Sequence, residues 1–71
     1  MIKFSKTLQK EAQTRRYAIS FDADGWHVTE HADSRVVRDE VLTDWHRVER
    51  VRREFTIEMS GLRDEGWIER G

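Results

Sequence analysis

The sequence predicts a small α+β domain, in which an antiparallel β-meander of three to four strands precedes one long C-terminal helix packed on one sheet face. Two patterns predict it. Apolar and polar residues alternate in the first half of the chain, as in half-buried strands, and apolar residues recur every three or four positions from Trp45 onward, as on a helix face. The third observation is the length of 71 residues, which suffices for a single domain over 1–71.

The strands are predicted from the alternation of side chains with a period of two. They cover residues about 2–9, 15–22, 26–31 and 35–42. The turn between the second and third strands is Asp22-Ala23-Asp24-Gly25, where Gly25 can adopt a positive φ without steric conflict. A second turn is expected at residues 31–34.

The segment 35–42 has two interpretations. Val37 and Val41 also lie on the helix stripe when that stripe is extended backwards, so the segment could belong to a longer helix capped by Asp33 or Ser34. A helix of some 30 residues is improbable in so short a chain, and β-branched neighbours such as Val36 favour a strand. We therefore expect a strand and keep the helical extension as the alternative.

The helix is predicted over residues about 43–65. Thr43 is the expected N-cap, and Asp44 the expected acidic residue of the first turn. The core stripe consists of six apolar residues: Trp45, Val48, Val51, Phe55, Met59 and Leu62.

Two glycines compete for the helix C-terminus. With Gly66 as the left-handed residue, Trp67 contacts Leu62 in a Schellman ending, whereas Gly61 in that role would shorten the helix. The stripe includes Leu62, so we expect Gly66 to end the helix and residues 68–71 to fray.

The composition argues against catalysis, cofactors and metals. The chain has no cysteine, which removes disulfides, thiolate metal sites and cysteine nucleophiles, and its four glycines are too isolated to form a phosphate-binding loop. A core this small is not expected to enclose a ligand pocket of about 300 Å³ or more. His27 and His31 would share one strand face about 13 Å apart, too far to hold one ion. We therefore expect no enzyme activity, no cofactor and no metal.

The chain is expected to be cytoplasmic. No apolar run approaches the roughly 20 residues that span a bilayer. The N-terminal residues 1–4 lack the contiguous apolar stretch of a secretory signal.

The charges are distributed in blocks that nearly cancel. The net charge is −1, yet residues 1–20 and 46–53 are basic while 21–45 and 54–71 are acidic. The main candidate interaction surface lies on the helix face opposite the core stripe and comprises His46, Arg47, Arg50, Arg53 and Ile57. A secondary basic patch comprises Lys3, Lys6, Lys10, Arg15 and Arg16.

Salt bridges within the helix could mute the charge of its outer face. Glu49 precedes Arg53 by four residues, and Glu54 follows Arg50 by four. The aromatic residues of the strands are assigned to the core, and Tyr17 is the one expected to keep a solvent-exposed edge.

From Gly25-Trp26 through Thr43-Asp44-Trp45-His46-Arg47-Val48-Glu49-Arg50 to Leu62-Arg63-Asp64-Glu65-Gly66-Trp67, the chain resembles a group of short uncharacterised bacterial proteins. The resemblance spans nearly the whole length and implies no activity. The strands-then-helix layout also resembles WGR domains, with their Gly-aromatic ending at Gly66-Trp67, and Whirly-type single-stranded-DNA binders. Topology alone does not establish function.

These observations indicate a small non-enzymatic bacterial binding module. A role in protein interaction or self-association is the leading expectation, with an unidentified protein or a weak homo-oligomer as the partner. The alternative is nucleic-acid binding through the basic helix face and the N-terminal cations.

Overall fold

The structure is a computed structural model that describes the backbone of residues 2–70 and the side chains of residues 4–70. Its elements are β1 Ile2–Lys10, β2 Gln13–Asp22, β3 Gly25–Ala32, β4 Arg35–Leu42, α1 Trp45–Asp64 and β5 Ile68–Arg70. The strands form one antiparallel sheet in the spatial order β4-β3-β2-β1-β5. The prediction of an antiparallel sheet with one helix is confirmed, but the sheet has five strands rather than three to four.

The segment 35–42 is a strand, as the β-branched residues predicted. It pairs with β3 from Ala32↔Arg35 to Trp26↔Leu42. The register shifts between Glu30 and His31, so that Val37 has no opposite residue on β3. This is a β-bulge, which twists the strand locally.

The fifth strand is the main departure from the prediction, because residues 68–70 do not fray. Ile68–Arg70 pairs with β1, with Thr7 opposite Arg70. The Glu69 carboxylate forms ion pairs with Lys6 and Arg63. The strand therefore depends on β1 and α1, which are distant in sequence, and no local pattern of three residues encodes it.

The N-cap lies one residue later than predicted, at Asp44 and not Thr43, and the helix covers Trp45–Asp64 where about 43–65 was predicted. Asp44 has an extended backbone (φ −99°, ψ 116°), and its carboxylate accepts a hydrogen bond of 2.9 Å from the backbone N–H of His46. Its carbonyl accepts the first helical hydrogen bond, from Val48. Thr and Asp can both cap a helix, and Asp is the more strongly preferred, so the prediction chose the weaker of two adjacent candidates. As a consequence, the first turn contains no acidic residue.

The C-terminus of α1 has the predicted Schellman geometry. Gly66 has a φ of +101°. The N–H of Trp67 donates to the carbonyl of Leu62 at 3.0 Å, and the N–H of Gly66 donates to that of Arg63 at 3.0 Å. These are the two hydrogen bonds that define the motif. Gly61 consequently lies inside the helix.

The hydrophobic core lies between α1 and one face of the sheet. Its centre is Phe55, whose ring lies 4.9 Å from the ring of Tyr17. The buried apolar residues are Leu8, Tyr17, Ile19, Val28, Leu42, Val48, Val51, Phe55 and Met59. Four of the six predicted stripe residues are among them, and Leu62 packs against their edge.

Two aromatic residues differ from the expectation. Tyr17 is fully buried and does not keep the solvent-exposed edge that was expected, because β2 is the central strand and Phe55 covers the tyrosine ring. Trp45 belongs to the stripe but is 44% exposed, since it begins the helix beyond the end of the sheet and packs on Trp26 at 4.9 Å.

The second face of the sheet is covered by none of the described elements. Residues 27, 29 and 31 of β3 lie on this face, as the alternation predicts, because buried Val28 and Glu30 point to the other side. Within residues 2–70, no helix has the length and apolar character needed to cross a bilayer.

Candidate functional site

The predicted helix surface is present and accessible. Its five members, His46, Arg47, Arg50, Arg53 and Ile57, are all exposed. Ile57 is 65% exposed, an apolar side chain surrounded by charged neighbours. The 3.6-residue period of the core stripe determines this arrangement, because residues opposite a buried stripe must face solvent.

The arginines of the helix surface are not neutralised as the sequence suggested. Within residues 4–70, Arg47, Arg50 and Arg53 form no ion pair. Glu54 instead lies 3.5 Å from the guanidinium of Arg38 on β4. The three guanidinium groups are thus available to an external anion.

A shallow groove of about 190 Å³ separates the N-terminal half of α1 from β4. Arg47 and Arg50 line it from the helix, and Arg38 and Glu40 line it from the strand. Arg38 lies 3.4 Å from Glu40, so the strand side of the groove contains opposite charges in close contact. The groove is mixed in charge and is not a uniformly basic channel.

The secondary basic set is divided between two sheet faces. The face that α1 covers includes Lys6, Lys10 and Arg15, as the alternation of side chains along β1 and β2 requires. Arg16 is exposed on the opposite face, across from Thr7. The Lys3 side chain lies outside the described residues.

The cations on the covered face have partners in the fold. Lys6 pairs with Glu69 at 3.1 Å, and the Lys10 ammonium donates to the carbonyl of Glu65 at 2.7 Å. Arg15 pairs with Glu30 at 3.2 Å. These contacts tie β5, the end of α1 and β3 to the rest of the sheet.

The edge strand β4 forms a surface that sequence reasoning missed. Val36, Val37 and Val41 are 55%, 48% and 50% exposed, although Val residues are usually core components. β4 is the outermost strand, so every second residue directs its N–H and C=O away from the sheet. The paired valines correctly predict a strand, but whether its free side is covered depends on the tertiary arrangement.

One buried carboxylate, that of Glu30, lies at the core, and the alternation of β3 indicates its inward position. Glu30 follows Trp26 and Val28 at a spacing of two and is only 4% exposed. Glu58 of α1 lies near it. Burial and the negative charge of Glu30 raise the pKa of Glu58, and Arg15 opposes the shift. Burial, Glu58 and Glu30 also raise the pKa of the Tyr17 hydroxyl.

The β2–β3 turn contains the only metal-compatible cluster among residues 4–70. The donor atoms of Asp22, Asp24 and His27 lie within 4.8 Å of one another. The Asp22 carboxylate accepts a 2.8 Å hydrogen bond from the N–H of Asp24 and lies 2.9 Å from the His27 ring nitrogen Nε2. These contacts account for the cluster as a side-chain-stabilised turn. The cluster differs from the His27 and His31 pair considered from sequence.

A depression of about 490 Å³ lies between the β1–β2 turn and β5. It exceeds the size that the sequence argument considered attainable. Its polar groups interact with the protein itself, since Lys10 donates to Glu65 and the Arg70 guanidinium donates to Gln9 at 2.7 Å. It presents no arrangement of a nucleophile beside a base.

Comparison with known proteins adds no assignment. No protein-family model, curated protein sequence or solved structure matches the chain.

Proposed function

We propose that this chain is a small non-enzymatic module of the bacterial cytoplasm that acts through protein interaction or self-association, with the edge of β4 as its contact surface. The observation that carries the proposal is the row of three exposed valines, Val36, Val37 and Val41, on an unpaired edge strand. An exposed apolar edge recruits further strands, because its free backbone groups act as a template.

The composition of β4 supports this use of the edge. Soluble proteins commonly protect such strands with lysine or proline, and Arg35–Leu42 contains neither residue. The bulge at Val37 and the four charged residues of the strand are the protective devices present, and the bulge leaves the stretch from Arg38 to Leu42 regular.

The test compares Val41→Lys with a matched control, Ile57→Lys, which adds the same charge at a similarly exposed apolar site on α1. Sedimentation velocity over a concentration series measures self-association. Proteins retained from a bacterial extract by the immobilised variants are identified and compared. We expect self-association, or a specific retained protein, to be lost with Val41→Lys and kept with Ile57→Lys. A monomer at all concentrations, with the same proteins retained by wild type and Val41→Lys, would contradict the proposal.

Nucleic-acid binding is the second candidate, and the unpaired arginines of the helix surface favour it. Arg47, Arg50 and Arg53 lie on one exposed face without an intramolecular carboxylate partner among the described residues. Guanidinium groups in such a row suit phosphate contacts. The N-terminal cations support this role less, since Lys6 and Lys10 have partners in the fold.

The test of this candidate uses fluorescence anisotropy with short single- and double-stranded oligonucleotides at several salt concentrations. We expect binding that weakens steeply with salt and is lost in the double variant Arg50→Glu/Arg53→Glu. Arg16→Glu, on the uncovered sheet face, is the matched control. No binding of either oligonucleotide at low salt would eliminate this candidate.

A further inference from the structure

We infer that the partner of the β4 edge is a second copy of this chain, paired antiparallel to it about a two-fold axis at Asp39. The inference rests on the proposed function and specifies its partner and register. In this arrangement two sheets join through their β4 strands into one ten-stranded sheet, with both helices on the same face. The evidence is the order of charges and valines along β4.

Three registers place the axis at one of the consecutive charged residues of the strand, Arg38, Asp39 or Glu40, and all three preserve the sheet faces. Directly opposite residues share a face, so the axis must pass through a residue and not between two residues. An axis at Arg38 places Asp39 opposite Val37 of the copy. An axis at Glu40 places Asp39 and Arg38 opposite apolar residues of the copy. Neither register gives a charged side chain near the axis an opposite charge.

The axis at Asp39 makes the flanking positions complementary. Arg38 lies opposite Glu40 of the copy twice, which gives two cross-strand ion pairs on the helix-covered face. Val37 lies opposite Val41 of the copy twice, which brings the exposed valines together. Opposite charges and β-branched pairs both stabilise neighbouring strands. Like charges meet at the axis in all three registers, so the axis residue does not distinguish them.

We expect the dimer to be weak and its affinity to depend on the residue at the axis. A contact limited to one strand edge falls below the roughly 1,200 Å² of stable complexes, and the bulge at Val37 shortens the regular pairing. The two Asp39 carboxylates face each other at the axis and repel. Replacing this residue by its neutral amide, Asp39→Asn, should therefore tighten the dimer.

Disulfide trapping tests the register, since the chain has no cysteine of its own. In the Asp39→Cys variant the new thiol faces its copy at a Cα separation of about 4.5–5.5 Å, as for directly opposite residues of antiparallel strands, and this is within the range of a disulfide. Arg38→Cys and Glu40→Cys are matched controls, which report the two other registers. Under mild oxidation we expect a covalent dimer to form with Asp39→Cys at least about tenfold faster than with either control.

Charge exchange tests the two ion pairs independently. Arg38→Glu and Glu40→Arg each place like charges opposite one another in the homodimer, so each should weaken association about tenfold or more. Mixing the two variants places Glu opposite Arg at every flanking position and should restore association. Because Arg38 also contacts Glu40 and Glu54 within the chain, the mixture is decisive: intramolecular damage cannot be repaired by a second chain.

The outcomes separate this inference from the proposed function. Preferential crosslinking of Asp39→Cys together with restored association in the mixture supports the Asp39 register. Preferential crosslinking of a control, or no association of wild type and mixture, overturns it. If the wild type stays monomeric yet retains a protein that Val41→Lys does not, the self-pairing is wrong and the proposed function stands.

Discussion

The ion pair between Arg15 and Glu30 makes a sharp prediction about stability. Glu30 has a side chain only 6% exposed beneath α1, and Arg15 reaches it at 3.2 Å while remaining 32% exposed. In Arg15→Met the apolar stem is kept and the guanidinium is lost. Glu30 is then left buried without the cation that compensates its desolvation.

The expected loss in the free energy of unfolding is large relative to the total stability of the chain. Removing one partner of a buried ion pair costs about 3–5 kcal/mol, and the partial exposure of Arg15 places this pair at about 3 kcal/mol or somewhat below. A chain of this size without disulfides has a total stability of about 3–5 kcal/mol. Arg15→Met should therefore be close to unfolding at 25 °C. The double variant Arg15→Met/Glu30→Leu removes both charges and should match or exceed the wild type.

Urea unfolding followed by tryptophan fluorescence measures these differences. The chain has three tryptophans, and Trp26 and Trp67 pack against the core. The single variant should have a much lower midpoint than the wild type, with the double variant restored. If Arg15→Met lost less than about 0.5 kcal/mol, or if the double variant were no more stable than the single one, the argument that Glu30 needs a compensating charge would be refuted.

Four further predictions concern the backbone at two glycines, the core, and the dependence of β5 on pH. Gly25→Ala should destabilise by more than about 1 kcal/mol, because Gly25 has a φ of +125° and a Cβ there would lie 2.9 Å from the carbonyl oxygen of Leu42. Gly61→Ala should stabilise by about 1 kcal/mol, since a Cβ added there has no atom within 4 Å apart from its chain neighbours and the backbone of its own helix. Thermal unfolding compares the two glycine variants. Phe55→Ala should cost about 3–5 kcal/mol and Ile57→Ala within about 0.5 kcal/mol in urea unfolding, because Phe55 is fully buried and Ile57 is exposed. Lys6 and Arg63 lower the pKa of Glu69. The stabilisation of β5 by these contacts is therefore present above the ordinary glutamate pKa and is lost as the pH falls through the lowered value. Amide exchange of β5 should accelerate in acid relative to β2, and Glu69→Gln should abolish that pH dependence.

The sequence predicted the elements whose information is local. The stripe around Phe55 and the Schellman ending at Gly66 depend on spacing within one helix, and both are present. The N-cap lies one residue later than predicted because Thr43 and Asp44 are adjacent residues that can both cap a helix, and Asp is the more strongly preferred of the two. The strand 68–70 was missed because its stability depends on β1, some sixty positions earlier in the chain.

In the candidate site, too, the features set by local spacing were predictable and those set by tertiary contacts were not. The helix surface around Arg50 was predictable because exposure follows from the position of the buried stripe. The pairing of Glu54 with Arg38 was not, since it joins α1 to β4 instead of two turns of one helix. The exposed edge around Val41 could not be recognised from residue types, because valines in a strand are usually buried.

The position of β5 has a consequence for the order of folding. All other neighbouring strands are joined by tight hairpins, so their contacts close short loops, whereas Lys6 and Glu69 are separated by 63 residues. Closing so long a loop loses more conformational entropy than forming a hairpin between adjacent strands. The meander β1–β4 with α1 therefore forms the cooperative unit, and β5 attaches once that unit exists. Because β5 has only three residues and all are exposed, we expect it to open first in the native state. Its opening would uncover the β1 edge as a second place for strand addition, opposite the one that we propose at β4.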